Sequence, residues 1–150
     1  MKKKAFITGI TGMVGSHLAD YLVRETDWEI YGMYRWRSPL DNIRHLINDI
    51  NSKNRIHLVY GDLRDAISID NAVKEVLPDY VFHLAAQSYP KTSFTAPLDT
   101  LDTNIQGTTR VLEALKNFAP NAVIHVCASS EVFGRVSKEK LAEMGGVINE

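Results

Sequence analysis

The amino-acid sequence predicts an α/β fold built on a parallel sheet. Short runs with the composition of strands alternate along the chain with longer segments whose apolar residues recur at helical spacing. The segments between successive runs are long enough to hold crossover helices. Such crossovers are nearly always right-handed, which gives a parallel sheet with helices on both faces.

Five strands are predicted from runs rich in apolar, β-branched and aromatic residues, at 4–8, 28–34, 56–60, 80–84 and 121–127. The first run leads directly into glycines, as is typical of a strand buried on both faces. His83 and His125 fall on the last two runs, and we expect both as buried core or cofactor-lining groups. Cys127 is expected to be a small buried hydrophobe.

Four helices are predicted, at 13–26, 40–50, 65–77 and 98–118. The last has the longest pattern, and its apolar residues are expected on one side: Leu98, Leu101, Ile105, Val111, Leu112 and Leu115. The least regular segments are 35–39, 87–97 and everything after Gly134.

Composition excludes several classes of protein. Of 150 residues, 45% are hydrophobic and 23% charged, close to the average for globular domains. Lys and Arg number 17 against 18 Asp and Glu, so there is no basic excess and no nucleic-acid partner is expected. The single cysteine cannot form an internal disulfide, and the histidines lack metal-ligand spacing, so no metal site is predicted.

The N-terminus begins with three lysines after Met1, but Thr8 and Gly9 interrupt the apolar run that follows, so export is not expected. No apolar stretch approaches the roughly 20 residues that cross a bilayer. The sequence therefore predicts a cytoplasmic domain without a membrane partner.

A glycine motif, G-x-x-G-x-x-G, lies between the first strand and the first helix. At this position glycines let a pyrophosphate approach the backbone, and the helix N-terminus offers free N–H groups. We therefore predict a Rossmann-type, doubly wound sheet with strand order 3-2-1-4-5. The alternative is that the glycines only form a turn. The predicted cofactor-binding residues here are Thr8, Gly9, Thr11, Gly12, Met13, Val14 and Gly15.

The cofactor type depends on the end of the second strand. Dinucleotide folds specific for NAD place an acidic residue there, about 20 positions after the motif, to bind the ribose 2′-hydroxyl. Counting from Gly15 reaches Arg35, with Arg37 close by. A guanidinium pairs bidentately with phosphate, so NADP is predicted, with NAD as second choice. The alternative is that both arginines belong to a solvated or partner-binding loop.

Five motifs in order carry a family resemblance: 8–15 (TGITGMVG), 60–63 (YGDL), 83–88 (HLAAQS), 104–108 (NIQGT) and 129–134 (SSEVFG). Together they resemble the extended short-chain dehydrogenase/reductase family. Within it the chain is most similar to the nucleotide-sugar 4,6-dehydratases of the GDP-mannose type. The resemblance covers about nine-tenths of the chain.

The resemblance implies further cofactor contacts from Asp62, Leu63, Leu84, Ala85, Ala86 and Gln87. Asp62 and Leu63 would bind the adenine, although Asp62 has an alternative role as a turn or helix-capping residue. The two alanines are small where a larger side chain would collide with the cofactor. Ser88 and Gln87 would face the sugar or the nicotinamide ribose. Asn104 is expected to support the site by hydrogen bonding.

The resemblance also implies the chemistry. Ser129 matches the family's catalytic Ser/Thr, which binds the reacting sugar oxygen, Ser130 would contact substrate, and Glu131 matches the dehydratases' base. After C4 is oxidised with NADP, a base removes the C5 proton, water leaves across C5 and C6, and the hydride returns to C6. The alternative for Glu131 is a surface carboxylate. The alternative functions are a nucleotide-sugar 4-epimerase or keto-sugar reductase, and a non-catalytic dinucleotide-binding module.

One family element has no counterpart in the sequence. None of the tyrosines is followed by lysine four positions later, so the catalytic Tyr-x-x-x-Lys pair is missing. We expect residues 1–135 to form the NAD(P)-binding domain, 136–150 a tail of unclear structure, and the substrate region to be absent from these 150 residues. Such a chain alone is expected to be inactive. The complete enzyme would act on a nucleotide sugar, GDP-mannose, as a possible homodimer or tetramer.

Overall fold

The computed structural model describes residues 2–52 and 54–129. Five strands form one parallel sheet in the order β3-β2-β1-β4-β5. Their bounds are β1 Lys4–Thr8, β2 Glu29–Tyr34, β3 Ile56–Tyr60, β4 Tyr80–His83 and β5 Val123–Val126. The predicted α/β class and the strand order 3-2-1-4-5 are confirmed.

The helical segments are α1 Met13–Glu25, a 3₁₀ helix Asp41–Leu46, α2 Ile47–Asn51, α3 Ala66–Val76, α4 Pro90–Thr95, α5 Pro97–Leu101, a π turn Asp102–Gln106 and α6 Gly107–Phe118. The helix predicted at 40–50 starts as 3₁₀, because a three-residue turn brings Ile43 and Leu46 onto one buried face. Helix α4 forms where an irregular segment was predicted. Pro90 starts it and Pro97 starts the next, at positions where the missing N–H costs little.

Two apolar clusters cover the two faces of the sheet, because successive residues of a strand point to opposite sides. Phe6 of β1 joins Met33 and Val59 in a cluster with α3 and α6. Ala5 and Ile7 of β1 join the other cluster, with α1 and the 3₁₀ helix. This double burial explains why the strand runs read as continuously apolar.

The long helix differs from its predicted apolar face. Val111 and Leu115 are buried, but Leu98 is 80% exposed, and Leu101, Ile105 and Leu112 are also exposed. Helix α6 approaches the β3–α3 loop so closely that a Cβ at Gly107 would lie 2.8 Å from Cβ of Leu63. The π turn before it adds a residue to the helical path, and one residue is about 100° of rotation. Helix α6 buries Gly107, Val111, Ala114 and Leu115, whereas α5 and the π turn contain no buried residue.

The burial predicted for two residues in and next to strand β5 was wrong. His125 and Cys127 were expected to be buried, but both are exposed. β5 is the outer strand of the described sheet and pairs on one side with β4. None of the helices formed by the described residues combines the length and apolar character that a bilayer crossing requires.

Candidate functional site

A cleft of about 970 Å³ opens at the carboxyl ends of the strands, where β1 and β4 send their connections in opposite directions. Ligands of open α/β sheets bind at this position. The predicted site residues that line it are Gly9, Thr11, Gly12, Met13, Val14, Gly15, Arg35, Asp62, Leu63, Leu84, Ala85, Ala86, Gln87, Ser88 and Ser129. Ser130, Glu131 and the tail 136–150 lie outside the described residues.

The glycines of the motif have different surroundings. Gly9 adopts φ of +76°, a conformation that side-chain-bearing residues rarely adopt, and a Cβ there would lie 3.0 Å from Cα of Ala85. A Cβ at Gly15 would lie 2.3 Å from the carbonyl oxygen of Gly9, so α1 can pack against β1 only with glycine at this position. Gly9 thus allows the turn, and Gly15 allows the close helix contact.

Gly12 is less tightly enclosed than Gly9 and Gly15, because only one neighbouring atom lies close to the place of a side chain. The nearest atom to a Cβ at Gly12 is the Gly9 carbonyl oxygen, at 3.3 Å, and the residue is exposed on the cleft. Within the described residues no side chain caps the N-terminus of α1, and its first turn has no acidic residue. An open backbone surface at a helix N-terminus fits the pyrophosphate of a dinucleotide.

Thr8 was predicted to bind the cofactor, but it is fully buried and does not line the cleft. Its hydroxyl oxygen accepts hydrogen bonds from the backbone N–H groups of Leu84 and Ala85, both at 3.1 Å. The hydroxyl also lies 2.9 Å from Nδ1 of His83. A strand-end threonine is drawn into such contacts because its buried hydroxyl needs partners. Thr8 therefore supports the cleft wall from behind.

Asp62 follows β3 and has the turn role that was its alternative. Its Oδ1 accepts from the Arg64 backbone N–H at 3.0 Å, and the Arg64 guanidinium lies 3.4 Å from the same oxygen. Burial by itself raises the pKa of Asp62, but the hydrogen bonds from Arg64 outweigh it and hold that pKa below its usual range. Arg64 also pairs with Asp99 of α5 at 3.0 Å, and so links the β3 loop to the long helix.

A shallower recess of about 330 Å³ adjoins the cleft beyond Arg35. Its walls are Arg35, Trp36, Arg37, Tyr60, Asp62 and Arg64. Trp36 and Tyr60 meet edge to face with ring centres 6.5 Å apart. Arg64 is paired with Asp62 and Asp99, so Arg35 and Arg37 supply the positive charge of this recess. Arg35 and Arg37 were predicted from the sequence to lie here, whereas Arg64 was not, although it stands two residues after the predicted site residue Asp62.

The loop after β4 forms the opposite wall. Asn104, in the π turn, accepts from the Gln87 N–H through Oδ1 at 2.8 Å and donates from Nδ2 to the Gln87 carbonyl at 3.0 Å. The Gln87 side chain donates to the Thr100 hydroxyl at 3.1 Å. The supporting role expected for Asn104 is thus seen in its contacts. Among the described residues no group of three or more His, Cys, Asp or Glu could hold a metal.

Comparison with known proteins identifies the family. The family model for GDP-mannose 4,6 dehydratase matches residues 6–146. The chain belongs to the GDP-mannose 4,6-dehydratase family. A GDP-mannose 4,6-dehydratase of Vibrio cholerae is 36% identical over 143 residues, which cover 92% of this chain and 38% of the relative. A human GDP-mannose 4,6 dehydratase is 34% identical, over 89% of this chain and 37% of its own. The chain therefore spans well under half the length of these curated relatives.

Solved structures share the fold. PbgP3 protein of Burkholderia pseudomallei superposes with a TM-score of 0.75 at 24% identity, covering 93% of this chain and 43% of that one. The UDP-glucose 4-epimerase of Thermus thermophilus, solved in complex with NAD, has a TM-score of 0.65 at 25% identity and covers 77% of this chain and 34% of its own. The resemblance to the extended dehydrogenase/reductase family is confirmed.

Proposed function

We propose that this chain is the cofactor-binding part of an NADP-dependent nucleotide-sugar 4,6-dehydratase. The observation that carries the proposal is the difference among the glycines of the motif. Gly9 and Gly15 are required by the protein's own packing, whereas a Cβ at Gly12 would meet only the Gly9 carbonyl oxygen, a tight contact at 3.3 Å, and Gly12 is exposed on the cleft. A bare backbone exposed on the cleft at a helix N-terminus suits a bound pyrophosphate. The related epimerase in complex with NAD supports a nicotinamide dinucleotide here.

NADP is preferred over NAD because of the electropositive recess. β2 ends at Tyr34, and the next residue is Arg35 rather than an acid that would bind a ribose 2′-hydroxyl. With Arg37 on the same recess, two guanidiniums could pair with a 2′-phosphate, while Arg64 is already paired with Asp62 and Asp99. Asp62 would lie at the adenine side of the cleft, held in place by Arg64.

The proposed substrate is a nucleotide sugar, GDP-mannose, as the names of the curated relatives support. When bound, the nicotinamide accepts a hydride from the sugar and later returns it. Ser129, which lines the cleft just past β5, would orient the reacting sugar oxygen. Glu131 would remove the C5 proton before water leaves, and Ser130 would contact the substrate. The exposed side of the long helix, with Leu98 and Ile105, supports a dimer or tetramer.

Cofactor binding tests the first part of the proposal directly. Titration calorimetry of the chain with NADPH and NADH is expected to show at least about tenfold tighter binding of NADPH. Arg35→Asp should reverse that preference, while the same charge change at exposed Arg44 should leave it unchanged. Gly12→Val should abolish binding of both dinucleotides. Equal affinity for NADPH and NADH in the unaltered chain would overturn the assignment of NADP.

Turnover is measured on a polypeptide that carries a Tyr-x-x-x-Lys pair together with these residues, incubated with GDP-mannose and NADP. A product lighter by one water, with solvent deuterium at C5, supports the dehydratase. Glu131→Gln should then stop elimination but spare nucleotide-sugar binding. An isomer of the substrate would instead indicate an epimerase, and reduction of a 4-keto sugar a keto-sugar reductase. Cofactor binding without any nucleotide-sugar binding would indicate a non-catalytic module.

A further inference from the structure

His83, the last residue of β4, lies between two other elements of the fold. The residue is only 3% exposed. Its Nδ1 is 2.9 Å from the hydroxyl oxygen of Thr8 at the end of β1, and its Nε2 is 3.0 Å from the hydroxyl oxygen of Thr108 in α6. One imidazole therefore bridges the strand that precedes the glycine motif and the helix behind the β4 loop.

The hydrogen-bond partners determine which ring nitrogen carries the proton. The Thr108 hydroxyl has one proton and donates it to the Asn104 carbonyl oxygen at 2.7 Å. At 3.0 Å from Nε2 the same hydroxyl must accept, so Nε2 is the protonated nitrogen. Thr8 accepts two backbone N–H groups, which leaves its own proton for Nδ1. Every donor then has an acceptor, and a neutral ring satisfies the whole network.

We propose that His83, as the neutral Nε2–H tautomer, is a positioning residue that holds the loop 84–87 against the dinucleotide. The proposal rests on the proposed function for its ligand, while the tautomer itself is independent of any ligand. Burial lowers the pKa of the His83 imidazole, in keeping with a neutral ring.

The network reaches both ends of this loop. At one end the Thr8 hydroxyl holds the N–H groups of Leu84 and Ala85. At the other end Thr108 is bonded to Asn104, whose side-chain amide makes two hydrogen bonds to the Gln87 backbone. The imidazole connects the two halves, so loss of the contact with Thr8 should disturb the cleft wall at Ala85 and loss of the contact with Thr108 should disturb it at Gln87.

Long-range proton–nitrogen NMR correlations of the histidine rings test the tautomer at neutral pH without cofactor. His83 is expected to show the pattern of a single Nε2–H tautomer, whereas exposed His17 should show averaging between tautomers. An Nδ1–H pattern or averaging at His83 would overturn the proposal. This readout stands whether or not the chain binds a dinucleotide.

Three substitutions then separate the two halves of the network. His83→Asn keeps an acceptor toward Thr8, His83→Gln keeps a donor toward Thr108, and His83→Leu removes both. In the Asn variant the backbone amide shifts of Ala85 should stay near their original values and those of Gln87 should change. In the Gln variant those of Gln87 should stay and those of Ala85 should change. NADPH affinity should fall by about tenfold in the Leu variant and less in the other two. His125→Gln, on exposed β5, is the matched control and should change neither.

The outcomes distinguish the two proposals. If the unaltered chain binds no dinucleotide, the proposed function fails, but the tautomer and the amide shifts still decide the role of His83. If folded Asn and Gln variants leave the shifts of Ala85 and Gln87 unchanged, His83 does not position the loop. These two variants also decide the matter should the Leu variant fail to fold. NADPH binding at the original affinity in all three folded variants would overturn the proposal as well.

Discussion

The side-chain amide of Asn42 donates a hydrogen bond to the carbonyl oxygen of Thr11 across 2.9 Å. Asn42 belongs to the 3₁₀ helix that follows β2, and Thr11 belongs to the glycine motif. The bond ties one peptide of the motif to a separate element. Because the orientation of that peptide influences the N–H groups at the start of α1, this contact bears on anion binding.

Removing this contact should weaken cofactor binding more than it weakens the fold. Asn42→Ala deletes an exposed hydrogen bond, which contributes about 1 kcal/mol or less to stability. NADPH affinity, measured by calorimetry, should fall severalfold because the motif is less well ordered before binding. Asn48→Ala, an exposed asparagine of α2, is the control and should bind normally. An unchanged NADPH affinity in Asn42→Ala would show that the glycine motif is ordered without the hydrogen bond from Asn42.

Gly15→Ala should lower the stability of the fold, whereas Gly12→Ala should lower the affinity for the cofactor. The new Cβ at Gly15 would lie 2.3 Å from the Gly9 carbonyl oxygen, and we expect the free energy of unfolding in urea to fall by about 1–3 kcal/mol. At Gly12 the nearest atom is 3.3 Å away, and a shift of a few tenths of an ångström accommodates the Cβ, so Gly12→Ala should remain folded and lose NADPH affinity. If Gly12→Ala destabilised the chain as much as Gly15→Ala, glycine at position 12 would be required by the fold and not by a ligand.

Arg55 closes the C-terminal end of α1. Its guanidinium donates to the carbonyl oxygens of Val23 at 3.1 Å and Trp28 at 3.3 Å, and also reaches those of Leu22 and Thr26. A lysine cannot span these acceptors, because it lacks the planar fork. Arg55→Lys should lower the free energy of unfolding by about 1–3 kcal/mol. Arg44→Lys, at an exposed site, is the matched control, and an equal loss in both would refute the capping role.

Burial of His83 makes stability depend on pH in a defined direction. Its ring partners are the uncharged hydroxyls of Thr8 and Thr108, and burial lowers its pKa. The unfolded chain, with a histidine pKa of about 6.5, binds more protons below that pH than the folded chain does. The contribution is therefore complete above about pH 6.5 and is lost as the pH falls toward the folded pKa.

Urea unfolding at a series of pH values measures this effect. The free energy of unfolding should rise with pH on approaching about 6.5 from below, and His83→Gln should show a smaller slope because it cannot be protonated. The comparison of slopes removes the contributions of the other histidines, such as His57 beside Glu29. Equal slopes in the two proteins would mean that His83 titrates as it does in the unfolded chain.

Much of the fold could be predicted from the sequence because parallel strands buried on both faces leave a plain signal. β1 and β3 have the predicted bounds, and the glycine motif lies at the predicted junction. The cleft was predictable for the same reason, since carboxyl ends of parallel strands share one edge of the sheet. Of the residues predicted to bind the cofactor, Thr8 alone does not line the cleft, because its hydroxyl is used inside the fold.

The buried face of the long helix could not be predicted from the spacing of its apolar residues. A regular repeat places Leu98, Leu101 and Ile105 on one face with Leu112, and that face is exposed. Helix α6 instead buries the face of Val111 and Leu115, where Gly107 packs against Leu63. Small residues such as Gly107 allow the closest packing but contribute little to a hydrophobic pattern. The helix face that packs most closely is therefore the hardest to detect from the spacing of apolar residues.

The sequence by itself determined the order of the strands, the place of the glycine turn and the arginine that follows β2. These features depend on local composition and on chain connectivity, which are both written along the chain. The tertiary structure alone decided that Arg64 joins the recess, that Asn42 holds Thr11, and that His83 bridges Thr8 and Thr108. Each of these contacts joins segments that are distant in the sequence, and hydrogen bonds between such segments exist only once the sheet brings them together.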